Sequence, residues 1–393
     1  MRFEPTPRPA LAEIPGSLIR EVSEVGRYMP DVIPLWFGEP DTVTPDFVRE
    51  AAKLALDEGK TFYAPNPGIP PLREAIAAYL KRNNRPVGTA RVAVTASGVN
   101  ALMLVAQALL SPGDRVVIPT PAWPNMDGIA RVMGAEVADM PLRLMNGVWR
   151  ADLDELLAAI TPQTKLLFLN SPGNPTGWTL TGEEQRAILA KCRQTGTWIL
   201  ADDVYERLYF AGDAAPSFLE IADEQDRVVS VNSFSKSWAM TGWRLGFTAG
   251  NPDAVNTLQK LKSNIDSKAF PAVAEAGAYA LNHVSNQATL DIYQRRRDAL
   301  VDGLRSIGWQ VERPVASLYV WAPVPNPDMT SAEFAKALLE KAHVLCIPGN
   351  GYGTAGEGYV RFSLTLLGDQ SGERFAEAVR RIAASGLIAA PVA

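Results

Sequence analysis

Cysteine and histidine are scarce in this chain of 393 residues, and their scarcity excludes several kinds of chemistry. Two cysteines, Cys192 and Cys346, cannot build a disulfide framework, which fits a reducing compartment. His343 lies three residues before Cys346, but no other cysteine or histidine follows at the spacing of a metal site, so we predict no metal. His283 is the only other histidine and no G-x-S-x-G segment is present, which disfavours a serine hydrolase.

The sequence also lacks the long apolar run of a membrane helix and the basic stripe of a nucleic-acid-binding protein. Its net charge is −5, and residues of both signs are interspersed along the chain. The first residues, MRFEPTPRPALAEIPGS, do not combine a basic stretch with an apolar core, as a secretory signal does. These absences predict a cytoplasmic protein that binds neither membranes nor nucleic acid.

Short apolar segments alternate with helix-like segments through the middle of the chain. RVAVTAS, DRVVIPTP and KLLFLN are typical of buried strands, whereas GVNALMLVAQALL and TGEEQRAILAKCRQTG are typical of helices. This alternation predicts an α/β fold in which helices cover both faces of a mostly parallel sheet.

The pattern changes after about residue 285, where a long charged helix leads into short strands and further helices. This change predicts a second, smaller domain of the α+β type. We predict a large domain over residues 41–285 and a small domain over residues 286–393. We expect residues 1–40 to form a segment that packs on the small domain.

Polar side chains follow the predicted strands, and one group of them surrounds a lysine. In SVNSFSKSWAMTGWRLGF, Lys236 lies among hydroxyl residues, and Arg244 follows eight residues later without any acidic residue between them. Burial would lower the pKa of this amine and leave part of it neutral and nucleophilic. Ser233, Ser235 and Arg244 offer hydroxyls and a guanidinium suited to a phosphate dianion. The segment therefore predicts an anion site with a reactive amine beside it.

Three other strand ends add groups that the same ligand could use. In TASGVN the backbone N–H groups of Gly98 and Val99 begin a helix and can meet an anion there. Asp202 ends an apolar strand, Tyr205 supplies a phenol, and Trp123 offers a flat ring. Pyridoxal phosphate would use all of these groups, because it has an aldehyde, a phosphate, a ring nitrogen and a phenolic oxygen. Carboxyl ends of parallel strands are where such sheets bind ligands.

The blocks around these residues resemble those of the class I/II aminotransferases, the fold type I pyridoxal phosphate enzymes related to aspartate aminotransferase. GEPDTVTP, YAPNPGIPPLREAIA, NSPGNPTG, DDVYERL, SFSKSWAMTGWRLG and GEGYVRFSL occur in the order of that family. The similarity extends over roughly residues 30 to 375. It implies a large domain with a seven-stranded sheet between layers of helices, beside a small α+β domain.

The resemblance also implies the role of each site residue. Lys236 would hold the cofactor as an internal aldimine and later move the proton between the substrate and the cofactor. Asp202 would keep the ring nitrogen protonated, while Tyr205 and Asn174 would bind the phenolic oxygen. The phosphate would be bound by Ser97, Gly98, Val99, Ser233, Ser235 and Arg244.

Substrate and subunit contacts follow from the same resemblance. Arg361, in YVRFSL, would take the α-carboxylate of an L-amino acid as a bidentate pair, helped by the backbone at Gly38. The amino group would then pass to a 2-oxo acid. Tyr63 would reach the phosphate of the other subunit, which implies a homodimer with two shared active sites.

Two segments depart from the family pattern, and both concern the substrate. Lys268, in SNIDSKAFPAVAEAG, would meet either a phosphate or an acidic substrate side chain, or would simply be solvated. In ASLYVWAP, bulky residues stand where the family commonly has a glycine-rich turn before an aromatic. Together with the two aromatic residues ahead of GEP, they suggest a pocket with an apolar or aromatic lining. These bulky residues are Trp36, Phe37, Leu318, Tyr319 and Trp321.

Two alternatives to transamination stay open on the sequence. A C–S β-lyase or a decarboxylase would use the same cofactor site, and only released ammonia or carbon dioxide would distinguish it. A non-catalytic ligand-sensing module is a more remote alternative, because no basic helix-turn-helix precedes the enzyme-like region. The identity of the amino donor is not fixed by these motifs, since a single buried methylene discriminates by only about 1–3 kcal/mol.

Overall fold

The computed structural model describes residues 16, 29–266 and 268–388. Its strands are β1 (Ile33–Pro34), β2 (Val92–Thr95), β3 (Arg115–Thr120), β4 (Glu136–Pro141), β5 (Arg143–Met145), β6 (Val148–Arg150), β7 (Thr164–Asn170), β8 (Trp198–Asp202), β9 (Val228–Ser233), β10 (Gly246–Gly250), β11 (Tyr319–Pro323), β12 (Val344–Leu345), β13 (Ile347–Pro348) and β14 (Tyr359–Ser363).

Helices occupy most of the segments between these strands. They are α1 (Asp46–Asp57), α2 (Pro70–Arg82), α3 (Gly98–Leu109), α4 (Asn125–Val132), α5 (Leu153–Ala159), α6 (Gly182–Thr195), α7 (Phe234–Ser237), α8 (Pro252–Lys262), α9 (Pro271–His283), α10 (Gln287–Ser306), α11 (Ser331–Ala342) and α12 (Glu373–Ala384). Within the described ranges, no helix has both the length and the apolar character needed to span a bilayer.

Seven strands form one large sheet in the order β2-β10-β9-β8-β7-β3-β4. The pairs from β9 to β4 are all parallel, and β10 is antiparallel to both of its neighbours. The α/β prediction with a mostly parallel, seven-stranded sheet is therefore confirmed. One antiparallel strand could not be predicted, because the short run GFTAG carries no information about direction.

Alternate residues of the large sheet enter two different cores. Val92 and Val94 of β2 pack into a core with α2 and α9, whereas Ala93 between them packs into a core with α3 and α8. Successive side chains of a strand point to opposite faces, so a strand buried on both faces must be apolar throughout. Helices therefore cover both sides of the sheet, and its strand ends are the parts left open to a ligand.

A third core lies under the three-stranded antiparallel sheet β11-β14-β13. Leu300 of α10, Leu338 of α11 and Phe375 of α12 are fully buried in it. Strand β1 pairs in parallel with β12 and brings Ile33 into the same core. The division of the chain at residues 40 and 285 stays a prediction. Of the predicted N-terminal segment, residues 1–15 and 17–28 lie outside the described residues.

Candidate active site

One cavity of about 260 Å³ opens where the strands β7, β8 and β9 end. It brings together most of the residues predicted for the site, although they come from distant parts of the chain. The predicted residues that line it are Gly38, Gly98, Val99, Trp123, Asn174, Asp202, Tyr205, Ser233, Ser235, Lys236, Arg244 and Arg361. Ser97 and Tyr63 are not among its lining residues.

Lys236 lies in the short helix α7, directly after β9. Ser233 caps this helix, because its side chain accepts a hydrogen bond from the Ser235 N–H at 3.2 Å. The Lys236 ammonium donates a hydrogen bond to the carbonyl of Gly38. Burial is the main cause that lowers the pKa of this amine, so a larger share of it is neutral near pH 7. A neutral amine is what attack on an aldehyde requires.

Asp202 ends β8 and is almost completely buried. Its carboxylate accepts a hydrogen bond from the Val204 N–H at 3.3 Å. Burial raises the pKa of this carboxyl to about 7, and the positive charge of Lys236 is the weakest of the influences on it. A buried carboxylate with so little compensation is suited to a cationic ligand group, such as a protonated ring nitrogen.

Tyr205 and Asn174 both line the cavity, and each contacts another side chain that lines it. The Tyr205 hydroxyl is 3.0 Å from the hydroxyl of Tyr319, and the Asn174 Oδ1 accepts a hydrogen bond from Arg361 at 2.9 Å. Burial raises the pKa of the Tyr205 phenol well above its usual value, so the phenol keeps its proton. Two side chains able to bind a phenolic oxygen therefore face one cavity.

Asn170 is a residue of this site that the sequence analysis did not single out. It is the last residue of β7, its side-chain oxygen accepts from the Asn174 N–H at 2.9 Å, and its amide donates to the Asp202 carbonyl at 3.1 Å. It thus fixes two predicted site residues to each other. Its position at the end of an apolar strand is the same signal that identified Asp202.

The predicted phosphate site is formed by the start of α3, the serines around α7, and Arg244. Ser97 caps α3 by accepting from the Asn100 N–H at 3.1 Å, so its side chain orients the helix rather than lining the cavity. Arg244 has a left-handed backbone (φ 53°), and its side chain donates to the Thr241 carbonyl at 2.7 Å. A Cβ on Gly246 would lie 2.8 Å from the nitrogen of Gly98, so this approach of β10 to the helix start requires glycine.

Arg361 is a buried residue of β14 whose guanidinium is only partly satisfied. It donates to Asn174 and, at 2.6 Å, to the Trp36 carbonyl, whereas its Nε–H has no partner among the described residues. The ring of Tyr319 lies 4.0 Å from the guanidinium carbon. A guanidinium fixed in this way with N–H groups to spare can take a carboxylate as a bidentate pair.

Residues 36–38 reach these groups through their backbone carbonyls. The Trp36 carbonyl accepts from Arg361, the Phe37 carbonyl accepts from Ser363 at 2.9 Å and also from Thr365, and the Gly38 carbonyl accepts from Lys236. The segment therefore joins β14 of the small sheet to the lysine that follows the large sheet.

Tyr63 does not enter the cavity of its own chain. Its ring is 91% exposed, and the amine of Lys268 lies 4.6 Å from the ring centroid. An aromatic ring this exposed is available to a second subunit. Its predicted contact with a second subunit stays a prediction.

The five bulky residues predicted to give the pocket an apolar or aromatic lining divide into those that line the cavity and those that do not. Phe37 and Tyr319 line the cavity, and Phe37 is 48% exposed there. Leu318 is buried in the core of the small sheet, and Trp321 stacks on Tyr359 at 5.4 Å. Trp36 packs against a core and contributes only its carbonyl to the site. Only two of the five residues can therefore shape the described pocket.

The site residues fit pyridoxal phosphate group by group. The amine of Lys236 matches the aldehyde, the poorly compensated carboxylate of Asp202 matches the ring nitrogen, and the phenol of Tyr205 matches the phenolic oxygen. Serine hydroxyls, Arg244 and a helix start match the phosphate, and Trp123 lines the cavity with a flat ring. Across the described ranges, no three His, Cys, Asp or Glu side chains are grouped to hold a metal ion.

Comparisons with known proteins agree with this fit. The sequence model described as "Aminotransferase class I and II" matches residues 30–379. "LL-diaminopimelate aminotransferase 2" of Nostoc sp. is 35% identical over 387 residues, which cover 96% of this chain and 98% of that protein. "Aspartate aminotransferase" of Pyrococcus horikoshii is 37% identical over 375 residues, which cover 94% of this chain and 94% of that protein.

A solved structure shows the same architecture. The crystal structure of an aromatic aminotransferase from Pyrococcus horikoshii superposes with a TM-score of 0.85 at 31% identity, and it covers 94% of this chain and 98% of that chain. This chain belongs to the class I and II aminotransferases and is a pyridoxal phosphate-dependent transaminase.

Proposed function

We propose that the chain acts as a homodimer that moves the amino group of an L-amino acid to a 2-oxo acid, with Lys236 as its essential residue. The observation that carries this proposal is the meeting of Lys236, Asp202 and Arg361 at one cavity. When bound, the cofactor supplies an electron sink that makes the α-proton of the amino acid acidic.

Each of these three residues then has one task. Lys236 binds the cofactor and moves the α-proton, which its lowered pKa favours because a neutral amine can accept a proton. Asp202 holds a proton on the ring nitrogen. Arg361 binds the α-carboxylate and so orients the bond to the α-proton toward Lys236.

The remaining site residues hold the cofactor in place. Tyr205 and Asn174 bind its phenolic oxygen, Trp123 packs on its ring, and the backbone at Gly38 borders the substrate. The phosphate is bound by Gly98, Val99, Ser233, Ser235 and Arg244, with Ser97 orienting the helix that carries the first two.

Exposed apolar side chains support the homodimer. Phe62 is 85% exposed and Tyr63 91%, while Val43 and Leu54 are 75% and 58% exposed. All four lie between residues 43 and 63 of the sequence, and exposed apolar side chains that form a contiguous patch mark interaction surfaces. We propose that this surface is covered by a second copy of the chain, and that Tyr63 then reaches the phosphate in the other copy.

Mixing two inactive variants tests the shared site. We expect the turnover of Lys236→Ala and of Tyr63→Ala each to be impaired, because each variant removes one group that binds the cofactor. In a mixed dimer, one of the two sites would contain both intact residues. Refolding or co-expressing the variants in equal amounts should therefore restore about a quarter of the wild-type turnover, since about half of the dimers are mixed.

The size of the assembly provides the control for that experiment. Sedimentation should give twice the chain mass of 42.5 kDa for both variants and for the mixture. Dimers that form but show no recovery of turnover would contradict the sharing of sites. A particle of single-chain mass would contradict the homodimer itself.

For the donor, we propose an amino acid with an apolar or aromatic side chain. The basic residues that line the cavity are Lys236, Arg244 and Arg361, and each already has a partner in the cofactor or the α-carboxylate. Phe37 and Val99 instead present partly exposed apolar side chains to it. The aromatic aminotransferase of Pyrococcus horikoshii supports this class by its name, whereas the aspartate and LL-diaminopimelate enzymes favour charged donors.

The visible spectrum of the purified enzyme tests the donor directly. We expect phenylalanine or tyrosine, added without an oxo acid, to bleach the yellow enzyme to a stable amino form at lower concentration than aspartate does. Stronger bleaching by aspartate would overturn the proposal of an apolar donor. Loss of the response to aspartate in Lys268→Ala would then identify Lys268 as the cation that binds the acidic side chain of the substrate. An enzyme that stays yellow while ammonia or carbon dioxide appears would be a lyase or a decarboxylase.

We also propose a cytoplasmic location. Cys192 and Cys346 are both free and buried, and burial raises the pKa of the Cys192 thiol to about 12. Thiols of this kind are stable under reducing conditions, which supports a reducing compartment.

A further inference from the structure

Tyr319 lies at the centre of the site, although it was predicted only as a source of bulk. It is the first residue of β11, is 2% exposed and lines the cavity. It contacts three of the residues to which the proposed function assigns tasks, namely Tyr205, Arg361 and Gly38.

The ring of Tyr319 lies against the guanidinium of Arg361. The distance from the guanidinium carbon to the ring centroid is 4.0 Å, whereas the ring of Tyr352 is 5.1 Å away. Stacking on a ring leaves the edge of a guanidinium free, and the edge is where a carboxylate binds. The ring therefore fixes the plane of Arg361 without using the N–H groups that the substrate needs.

The hydroxyl of Tyr319 acts on a different group. It lies 3.0 Å from the Tyr205 hydroxyl, and both side chains are buried. If Tyr205 donates its proton to the phenolic oxygen of the cofactor, the proton between the two tyrosines must come from Tyr319. A donor that also accepts a hydrogen bond is polarised and becomes a stronger donor.

Tyr319 also explains why residue 38 is glycine. A methyl group on Gly38 would overlap the Tyr319 hydroxyl and ring. Residue 38 must therefore lack a side chain if its carbonyl is to accept from Lys236 while its Cα lies against the Tyr319 ring.

We propose that Tyr319 is a positioning residue with two separable functions: its ring orients Arg361 for the α-carboxylate, and its hydroxyl strengthens the bond from Tyr205 to the cofactor. This inference rests on the proposed roles of Arg361 and Tyr205.

Two substitutions of Tyr319 separate the functions. Tyr319→Phe keeps the ring and removes the hydroxyl. A hydrogen bond to the phenolic oxygen stabilises the anionic oxygen, so weakening it should raise the pH midpoint of the visible spectrum of the loaded enzyme by roughly 0.5 unit. We expect the Michaelis constant for the amino acid to change by less than about two-fold. Tyr319→Leu also removes the ring, and we expect that constant to rise about 10-fold.

The matched control is Tyr352→Phe. It removes another buried hydroxyl near Arg361, one without a hydrogen-bond partner among the described residues, and it should leave the pH midpoint unchanged. Tyr205→Phe should raise the midpoint more than Tyr319→Phe does. In the double variant Tyr205→Phe/Tyr319→Phe, the midpoint should equal that of Tyr205→Phe alone, because Tyr319 acts through Tyr205.

Three results would overturn the inference. The first is an unchanged pH midpoint in Tyr319→Phe. The second is a midpoint that Tyr319→Phe raises as much in the Tyr205→Phe variant as in the wild type. The third is an unchanged Michaelis constant in Tyr319→Leu. Circular dichroism and cofactor content of each variant exclude misfolding as the cause. A wild-type enzyme that cofactor does not turn yellow would instead contradict the proposed role of Lys236, so the two failures are distinguishable.

Discussion

Replacement of Lys236 by alanine should reduce turnover by a factor of about 10⁴ or more, because in the proposed function this one residue both binds the cofactor and moves the α-proton. Burial lowers the pKa of its amine, which donates a hydrogen bond to the Gly38 carbonyl. Steady-state rates and the visible spectrum measure the loss together. We expect the variant still to bind the cofactor through Ser233, Ser235 and Arg244, to which the proposed function assigns the phosphate, but without the yellow colour of the wild type.

Lys262 supplies the control for a buried lysine. It lies in α8, is 1% exposed and pairs with Asp266 at 2.6 Å, away from the cavity. Lys262→Met keeps its apolar stem, and we expect the yellow colour to persist with turnover within about three-fold of the wild type. Full transamination by Lys236→Ala would refute the assignment of the essential residue.

Asp202→Asn should have the second largest effect on turnover. We expect it to lower the turnover but to raise the stability of the cofactor-free protein. The ring nitrogen of the cofactor would lose its anionic partner, and turnover should fall by roughly 10²–10³-fold, as for other buried charge-stabilising groups. The cofactor-free protein should instead become more stable, because the variant no longer has to ionise a buried carboxyl.

The pH dependence follows from the direction of the shift. The folded pKa of Asp202 is about 7, above the usual 3.8, so the folded protein binds this proton more tightly than the unfolded chain does. Wild-type stability therefore falls as pH rises from 4 to 7 and loses about 4 kcal/mol in all. The stability advantage of Asp202→Asn should be large at pH 8 and shrink toward zero near pH 4, which thermal unfolding of both cofactor-free proteins can measure.

Asp203 is the matched control, since it is the next residue and is equally buried. Its carboxylate accepts from Ser217 at 2.9 Å and from Ser230 at 2.7 Å, and it does not line the cavity. Asp203→Asn should change stability but leave the colour intact and the turnover largely so. If both variants lost turnover equally, the ring nitrogen would have to be held by another group.

The site could be predicted largely because it lies at strand ends. Asn174 follows β7, Asp202 ends β8 and Lys236 follows β9. These three strands are adjacent and parallel, so polar residues at the end of each apolar run must meet at one edge of the sheet. The apolar segments predict where each strand ends, and no other part of the chain is needed for that prediction. The same reasoning could have included Asn170.

The contacts of Tyr319 could not be predicted in this way. Tyr319 approaches Gly38 and Tyr205 across more than 100 residues, and the approach depends on how β11 pairs with β14. Trp321, two residues further along β11, does not line the cavity and stacks on Tyr359 instead. A pattern of bulky residues shows that a region is crowded, but it does not show which side chains face the ligand.

A second set of contacts was missed for the same reason. Behind the site, Glu206 accepts hydrogen bonds from Tyr79 and from Asn232 and forms an ion pair with Arg85, all of them buried. The chain positions of these four residues lie far apart, so no local motif reveals them. Glu206, at the centre of this network, directly follows Tyr205 in the chain. Removing one partner of a buried ion pair lowers the free energy of unfolding by about 3–5 kcal/mol.

The carbonyl contacts of residues 36–38 affect how easily this enzyme could acquire new substrates. The hydrogen bonds from Arg361 and Lys236 to this segment are accepted by main-chain carbonyls. The side chains of Trp36 and Phe37 can therefore be exchanged without breaking either hydrogen bond. Phe37 lines the cavity, and random libraries at this position should therefore yield many folded, active variants that differ in donor preference. Gly38 is the position where such libraries will fail, because Tyr319 leaves no room for a side chain.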